Sequence, residues 1–177
     1  MISVGKINLY PQPVKLFVGM LSQDVELLAQ LAELLQNLYG PVDMESPVWQ
    51  WEHTSYYEKE MGSGLKRKFV FFEKLIHPER ISEIKLRTNE LENRFLNESG
   101  GRRINLDPGY LDAAKVVLAT TKDFSHRIYL RDRIYGEVTL LYSGNSYQTL
   151  PYTFPDYRTD AYQDIFKKAR EIYKQQR

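Results

Sequence analysis

The chain has no cysteine and only three histidines in 177 residues. The first absence removes disulfides, thiolate nucleophiles and Cys-ligated zinc together. The histidines stand far apart, at positions 53, 77 and 126, which gives weak support to a zinc site built without thiolates. Long apolar runs are missing too, none approaching the roughly 20 residues that span a bilayer. The start, Met1-Ile-Ser-Val-Gly-Lys6, lacks the basic-then-apolar layout of a secretory leader. The expectation is a cytoplasmic protein with no membrane partner. Short catalytic signatures are also lacking: there is no GxxxxGK[ST] loop, no GxGxxG after a strand, no HExxH and no GxSxG elbow. No motif announces an activity or a cofactor.

Net charge is small, +1, but unevenly spread. Up to Met61 there are three Lys and no Arg against eight acids; from Gly62 onward 21 basic residues face 15 acids. A basic ligand surface in the second part is compatible with that split. It is too modest to predict nucleic-acid binding. Hydrophobic residues make up 42% of the chain, enough for a core, and the length suits one ordinary domain over residues 1–177.

Periodicity supplies the elements. An arm ending in Tyr10-Pro-Gln-Pro13 precedes a buried strand, Lys15-Leu-Phe-Val-Gly-Met-Leu21. Ser22 is placed to cap the helix that follows, whose stripe is Leu27, Leu28, Leu31, Leu34, Leu35 and Leu38, and Gly40-Pro41 stops it. A second strand region lies within Val42–His53, with Pro47 arguing for an edge or a break, and with Trp49, Trp51 and His53 sharing one parity. Tyr56 to Gly64 reads as a flexible loop, and a third strand covers about Lys68–Leu75. Pro78 opens a second helix with Ile81, Ile84, Leu91 and Phe95 on its buried side. Arg103 to Asp107 supplies the next strand.

This order predicts an α+β fold with a ferredoxin-like βαββαβ core. An additional β-hairpin region follows, with strands at His126–Leu130 and Ile134–Tyr142 around Arg131-Asp-Arg133, after a stretch Lys115–Thr121 that reads as strand or short helix. An aromatic and proline loop then leads to a C-terminal helix striped by Tyr162, Ile165, Phe166, Ala169, Ile172 and Tyr173.

Polar residues gather on these elements. Lys85, Asn89 and Glu92 form a strip at i, i+4 and i+7, beside the apolar face of the second helix rather than opposite it. Such a border can point along a sheet into a cleft; a solvated flank is the plainer reading. In an extended stretch Arg103, Asn105 and Asp107 share one face while Ile104 and Leu106 anchor the other. An Arg there can hold a phosphate or carboxylate, although Asp107-Pro-Gly109 is equally a turn sequence. Lys122, His126 and Arg127 can surround an anion, and His126 is the one residue of the set with an unperturbed pKa near neutrality. Glu137, inside an otherwise apolar strand, is either solvent-facing on an edge or paired in a cleft.

Taken together, these segments resemble a prokaryotic family catalogued as domain of unknown function 4416. The residues that carry the likeness include Tyr56-Tyr-Glu-Lys-Glu-Met-Gly62, Lys85 with Thr88-Asn89 and Glu92, and Arg103-Ile-Asn-Leu-Asp-Pro-Gly109. They continue in Leu118-Ala-Thr-Thr-Lys122, His126-Arg-Ile-Tyr-Leu130, Glu137-Val-Thr-Leu140 and Thr153-Phe-Pro-Asp-Tyr157. The resemblance implies no activity. It does imply that Glu60 and the polar residues just named recur as a set, which suits a site better than a fold requirement.

Three functions follow as expectations. The first is a cleft for a small anionic or phosphorylated ligand, with Lys85, Asn89, Glu92, Arg103, Asn105, Lys122 and Arg127 binding it. If it is enzymatic, His126, Glu137 and Asp107 do the chemistry, and Glu92, Asp107 and Glu137 are placed to hold a divalent ion or activate water. The second is a noncatalytic protein-interaction subunit. The third, least favoured, is an RNA- or nucleotide-binding module.

Overall fold

The computed structural model describes residues 11–52 and 57–177. The expectations for the arm at 1–10, for His53 and for Tyr56 fall outside those residues.

The molecule is a mixed α/β protein built on one open antiparallel sheet. Strand β1 (Lys15–Ser22) is buried at every position and sits near the middle. Helix α1 (Val25–Tyr39) follows, then β2 (Val42–Glu45) and β3 (Trp49–Gln50), which Ser46-Pro-Val48 separates. A short helix α2 (Glu58–Met61) precedes β4 (Lys66–Phe72); a 3-10 turn at Pro78–Arg80 leads into helix α3 (Ile81–Glu92). Then come β5 (Ile104–Leu111), β6 (Lys115–Thr120), β7 (Ile128–Arg131), β8 (Ile134–Ser143), β9 (Ser146–Thr149) and the C-terminal helix α4 (Asp160–Gln175). The spatial order is β2-β4-β1-β5-β6-β8-β7, with β3 on β4 and β9 on β8.

Alternation along the strands gives the sheet two apolar faces. Leu16, Val18 and Met20 of β1, Val70 and Phe72 of β4, and Ile104 and Leu106 of β5 pack under α1 and α3. Phe17, Phe69, Phe71, Leu111, Leu118 and Leu140 turn the other way and meet Tyr162, Phe166 and Tyr173 of α4. Lys15 is wholly buried on that second side, donating to Asp43, to the Phe72 carbonyl and to Gln176 at the end of α4. Burial lowers its pKa against the opposing pull of Asp43.

Several local expectations are corrected. Ser22 ends β1 rather than capping α1; the cap is Asp24, whose Oδ1 accepts from the Leu27 N–H, while Ser22 Oγ accepts from the Asp24 N–H. Leu34 and Leu38 leave the buried stripe of α1 for its exposed flank. The stretch read as a flexible loop before Gly64 contains α2. Lys115–Thr120 is a strand, and the β7–β8 hairpin turns at Asp132 and Arg133, both with positive φ.

Asp107-Pro-Gly109 is not a turn: it runs straight through β5, paired to β1 as Gly19↔Asp107, Val18↔Pro108 and Phe17↔Gly109. A Cβ at position 109 would lie 2.5 Å from both the Phe17 ring and the Val117 carbonyl, so only glycine allows this packing.

Candidate functional site

Strands β5 and β6 pair only over Gly109↔Leu118, Tyr110↔Val117 and Leu111↔Val116, and then part. Proline is the reason. Backbone groups of alternate residues point to the same side of a strand. The Leu106 N–H and C=O face away from β1, because side chains of α3 take both, and Pro108 therefore presents its nitrogen to that same side. It has no hydrogen to offer β6, so the ladder cannot extend past it.

Helix α3 fills the edge that this leaves open. Lys85 Nζ donates to the Leu106 carbonyl at 2.8 Å, and the Leu106 N–H donates to Glu92 Oε1 at 2.6 Å. The polar strip on the border of α3 thus replaces the missing strand partner and points into the gap. Burial raises the Glu92 pKa, against the opposing effects of the Lys85 charge, the Leu106 N–H and Arg102.

The gap opens into a cavity of about 650 Å³ on the α4 side of the sheet, beyond the end of that helix's core. Its β4–β5 wall carries Arg67, Asn105 and Asp107; its β6–β8 wall carries Leu118, Thr120, Thr121, Lys122, Arg127 and Glu137. Lys85, Asn89 and Glu92 line it from α3, and Trp51, Tyr57, Phe154, Asp156 and Tyr157 border the rest.

Three arginines organise the acids. Arg67, 4% exposed, stretches from β4 across β1 to Asp107 on β5 (Nη1–Oδ2 3.0 Å) and also reaches Asp156 (Nη2–Oδ2 3.6 Å). Gly19 makes this crossing feasible: a Cβ there would sit 3.1 Å from Arg67 Nη1 and 2.8 Å from the Phe69 ring. Asp156, buried, also accepts from Trp51 Nε1 at 3.2 Å. For Asp107, burial alone would raise the pKa, but the Arg67 and Lys85 charges and hydrogen bonds from Arg67 and Asn105 together hold it below the ordinary carboxyl value.

Arg102 joins Glu60 of α2 through Nε (2.7 Å) and Nη2 (2.9 Å), and reaches Glu92 (3.1 Å) and Asn105 Oδ1 (2.9 Å) through Nη1. Its bonds, ahead of the opposing effect of burial, hold Glu60 below the usual carboxylate range. On the far wall Glu137 takes Arg127 Nε at 2.8 Å and lies 3.0 Å from His126 Nε2; the His126 ring stacks on Tyr152 with centroids 4.0 Å apart.

The structure therefore brings Lys85, Asn89, Glu92, Asn105, Asp107, Lys122, Arg127 and Glu137 onto one cavity, with His126 attached through Glu137. Arg103 is the exception. Strand β5 starts one residue later, and Arg103 turns to the surface, where Nη2 pairs with Asp24 at 3.1 Å. Arg102 stands at the cavity in its place. Arg67, Arg102 and Asp156 were not foreseen. Arg67 is hidden in the basic run Lys66-Arg67-Lys68, and Asp156 in an aromatic-proline loop. The expected divalent-ion arrangement finds no support: among the described residues no three His, Asp or Glu side chains gather to hold a metal. Glu92, Asp107 and Glu137 each face an arginine instead.

Residues 12–173 match the model of a family described as a domain of unknown function, DUF4416. The chain belongs to that family. No curated protein and no solved structure matches it. The DUF4416 match covers β1 through nearly all of α4, so every wall of the cavity lies inside it. Among the described residues no helix is long and apolar enough to cross a membrane.

Proposed function

We propose that the cavity binds a small anionic ligand, carboxylated or phosphorylated, between the β5 and β6 halves of the sheet. The observation that carries this reading is Lys85. Its side chain is buried, yet among the described residues its ammonium donates only to the Leu106 carbonyl, at 2.8 Å, leaving two N–H donors at the cavity. A buried ammonium with so little hydrogen bonding is costly unless an acceptor completes it. Across the gap, Arg127 uses Nε for Glu137 and Nη1 for the Lys122 carbonyl, and among the described residues Nη2 makes no hydrogen bond. An anion between Lys85 and Arg127, with Lys122 and the Thr120 and Thr121 hydroxyls at its side, answers both demands.

Isothermal titration of the full chain with inorganic phosphate, pyrophosphate and a dicarboxylate tests it. Binding by at least one probe is expected, weakened about tenfold or more in Lys85→Met or Arg127→Ala, in line with the loss of one charged hydrogen bond. The absence of binding by every probe would overturn the reading. In an enzymatic version His126, held by Glu137, moves a proton while Asp107 orients the reacting group.

Six elements, β1, α1, β2, β4, α3 and β5, we read as a ferredoxin-like unit in one domain. The order β5-β1-β4-β2, with antiparallel neighbours throughout and α1 and α3 on one face, supports that. Cytoplasmic residence fits the cysteine-free composition.

A second reading, as a protein-interaction subunit, draws on β7. This edge strand exposes Ile128 (71%) and Tyr129, with Phe124 (64%) just before it. Exposed apolar edges invite pairing. A monomer that Ile128→Lys leaves unchanged in sedimentation would sink it.

A further inference from the structure

The two walls of the cavity differ in what they offer a ligand. Along β6, β8 and the loop between β6 and β7 lie Thr120, Thr121, Lys122 and Arg127, with Glu137 paired to Arg127. β4 and β5 contribute Arg67, Asn105 and Asp107, and Asp156, itself paired to Arg67, borders the cavity with the rings of Trp51, Tyr57, Phe154 and Tyr157. A compact anion uses the first together with Lys85 of α3. The second calls for something flat, apolar on its faces and rich in N–H donors at its edge.

Three details define that group. Every hydrogen bond to the Asp107 carboxylate from another described residue falls on Oδ2, from Arg67 and Asn105, so Oδ1 remains an acceptor at the cavity. The Asn89 side-chain amide, half-buried on the cavity wall, makes no hydrogen bond with another described residue and can both donate and accept. Phe154 is 40% exposed although it lines the cavity, so one ring face is there to be covered.

We propose that the ligand is a free nucleoside monophosphate whose base has a donor edge of the guanine kind. This rests on the anion reading above. The phosphate lies at Lys85, Lys122 and Arg127, and the base enters the ring-lined end. Its N–H groups face Asp107 Oδ1, its carbonyl takes the Asn89 amide, and Phe154 covers one face. A carboxylate with a free lone pair selects N–H donors, which favours this edge over adenine's mixed edge. The cavity volume, about 650 Å³, lies in the range of small-molecule and cofactor sites and holds one nucleotide rather than a strand.

Titration of the full chain with GMP, AMP, ribose 5-phosphate and inorganic phosphate tests this. GMP is expected to bind about tenfold or more tightly than ribose 5-phosphate, the contribution of one stacked base. Phe154→Ala should remove most of that advantage, and Asn89→Ala should narrow the gap between GMP and AMP. Both substitutions lie away from the apolar core, so the folded chain can be assayed. Equal affinity for GMP and ribose 5-phosphate overturns the base assignment and leaves the anion reading standing. No binding by any probe overturns both. Binding of single-stranded RNA without binding of GMP also overturns the proposal, in favour of a polymer surface.

Discussion

Arg67 and Asp107 belong to strands with β1 between them and meet over the bare Cα of Gly19, with Nη1 and Oδ2 3.0 Å apart. A glycine inside a central strand, a weakness by propensity, is what lets a buried cation reach its acid.

Gly19→Ala should therefore cost more than a surface substitution. The new methyl would press on the Phe69 ring and the Arg67 guanidinium at once. Overpacking of this kind costs about 1–3 kcal/mol. Urea unfolding should show the loss, and an unchanged midpoint would mean that the crossing has slack.

Two of the cavity carboxyls, Glu92 and Asp107, should respond to pH in opposite senses. Glu92 has a raised pKa in the fold, so its contribution to stability is present in acid and lost as pH rises through the folded value. Asp107 is depressed, so its contribution is present above the ordinary carboxyl value and lost as pH falls through the folded one. The difference in Tm between wild type and Glu92→Gln should shrink or reverse from acid toward neutral pH. For Asp107→Asn it should grow. Parallel curves for the two variants would contradict the assignment.

Glu137→Gln should raise affinity for inorganic phosphate. The carboxylate now takes Arg127 Nε and stands beside His126, so neutralising it returns guanidinium charge to the cavity. A gain of about threefold to tenfold corresponds to the removal of about 1 kcal/mol of charge repulsion. Calorimetry should also show a steeper fall with salt; a loss of affinity would show that Glu137 itself touches the ligand.

Lys15→Ala should be among the most damaging changes remote from the cavity. It strands the Phe72 carbonyl and frees Asp43 and Gln176 from a wholly buried ammonium. Breaking a buried pair costs about 3 kcal/mol or more. The loss should appear in chemical denaturation.

How much of this was legible in the sequence differs from element to element. The border position of Lys85, Asn89 and Glu92 follows from helical spacing, and that border is what enters the gap. Strand parity placed Asn105 with Asp107 correctly, because Ile104 and Leu106 anchor the opposite face. The same parity failed for Arg103, since alternation holds only inside a strand and β5 begins at Ile104. Asp107-Pro-Gly109 looks like a turn locally, and its long pairing with β1 overrides that preference. Strand β9 was missed because Ser146-Tyr-Gln-Thr149 has one buried residue and no apolar alternation. Arg67 was invisible for a different reason: a basic run reads as surface until the acids that bury it are known, and those lie 40 and 89 positions further on.

Pro108 carries one more consequence. Since it leaves β5 and β6 joined by three residue pairs, the sheet is two plates riveted at one end. A molecule seated between Lys85 and Arg127 would act as a second rivet at the other end. Its arrival should then be felt as slowed amide exchange in β6 and β8, strands whose backbone it need never touch.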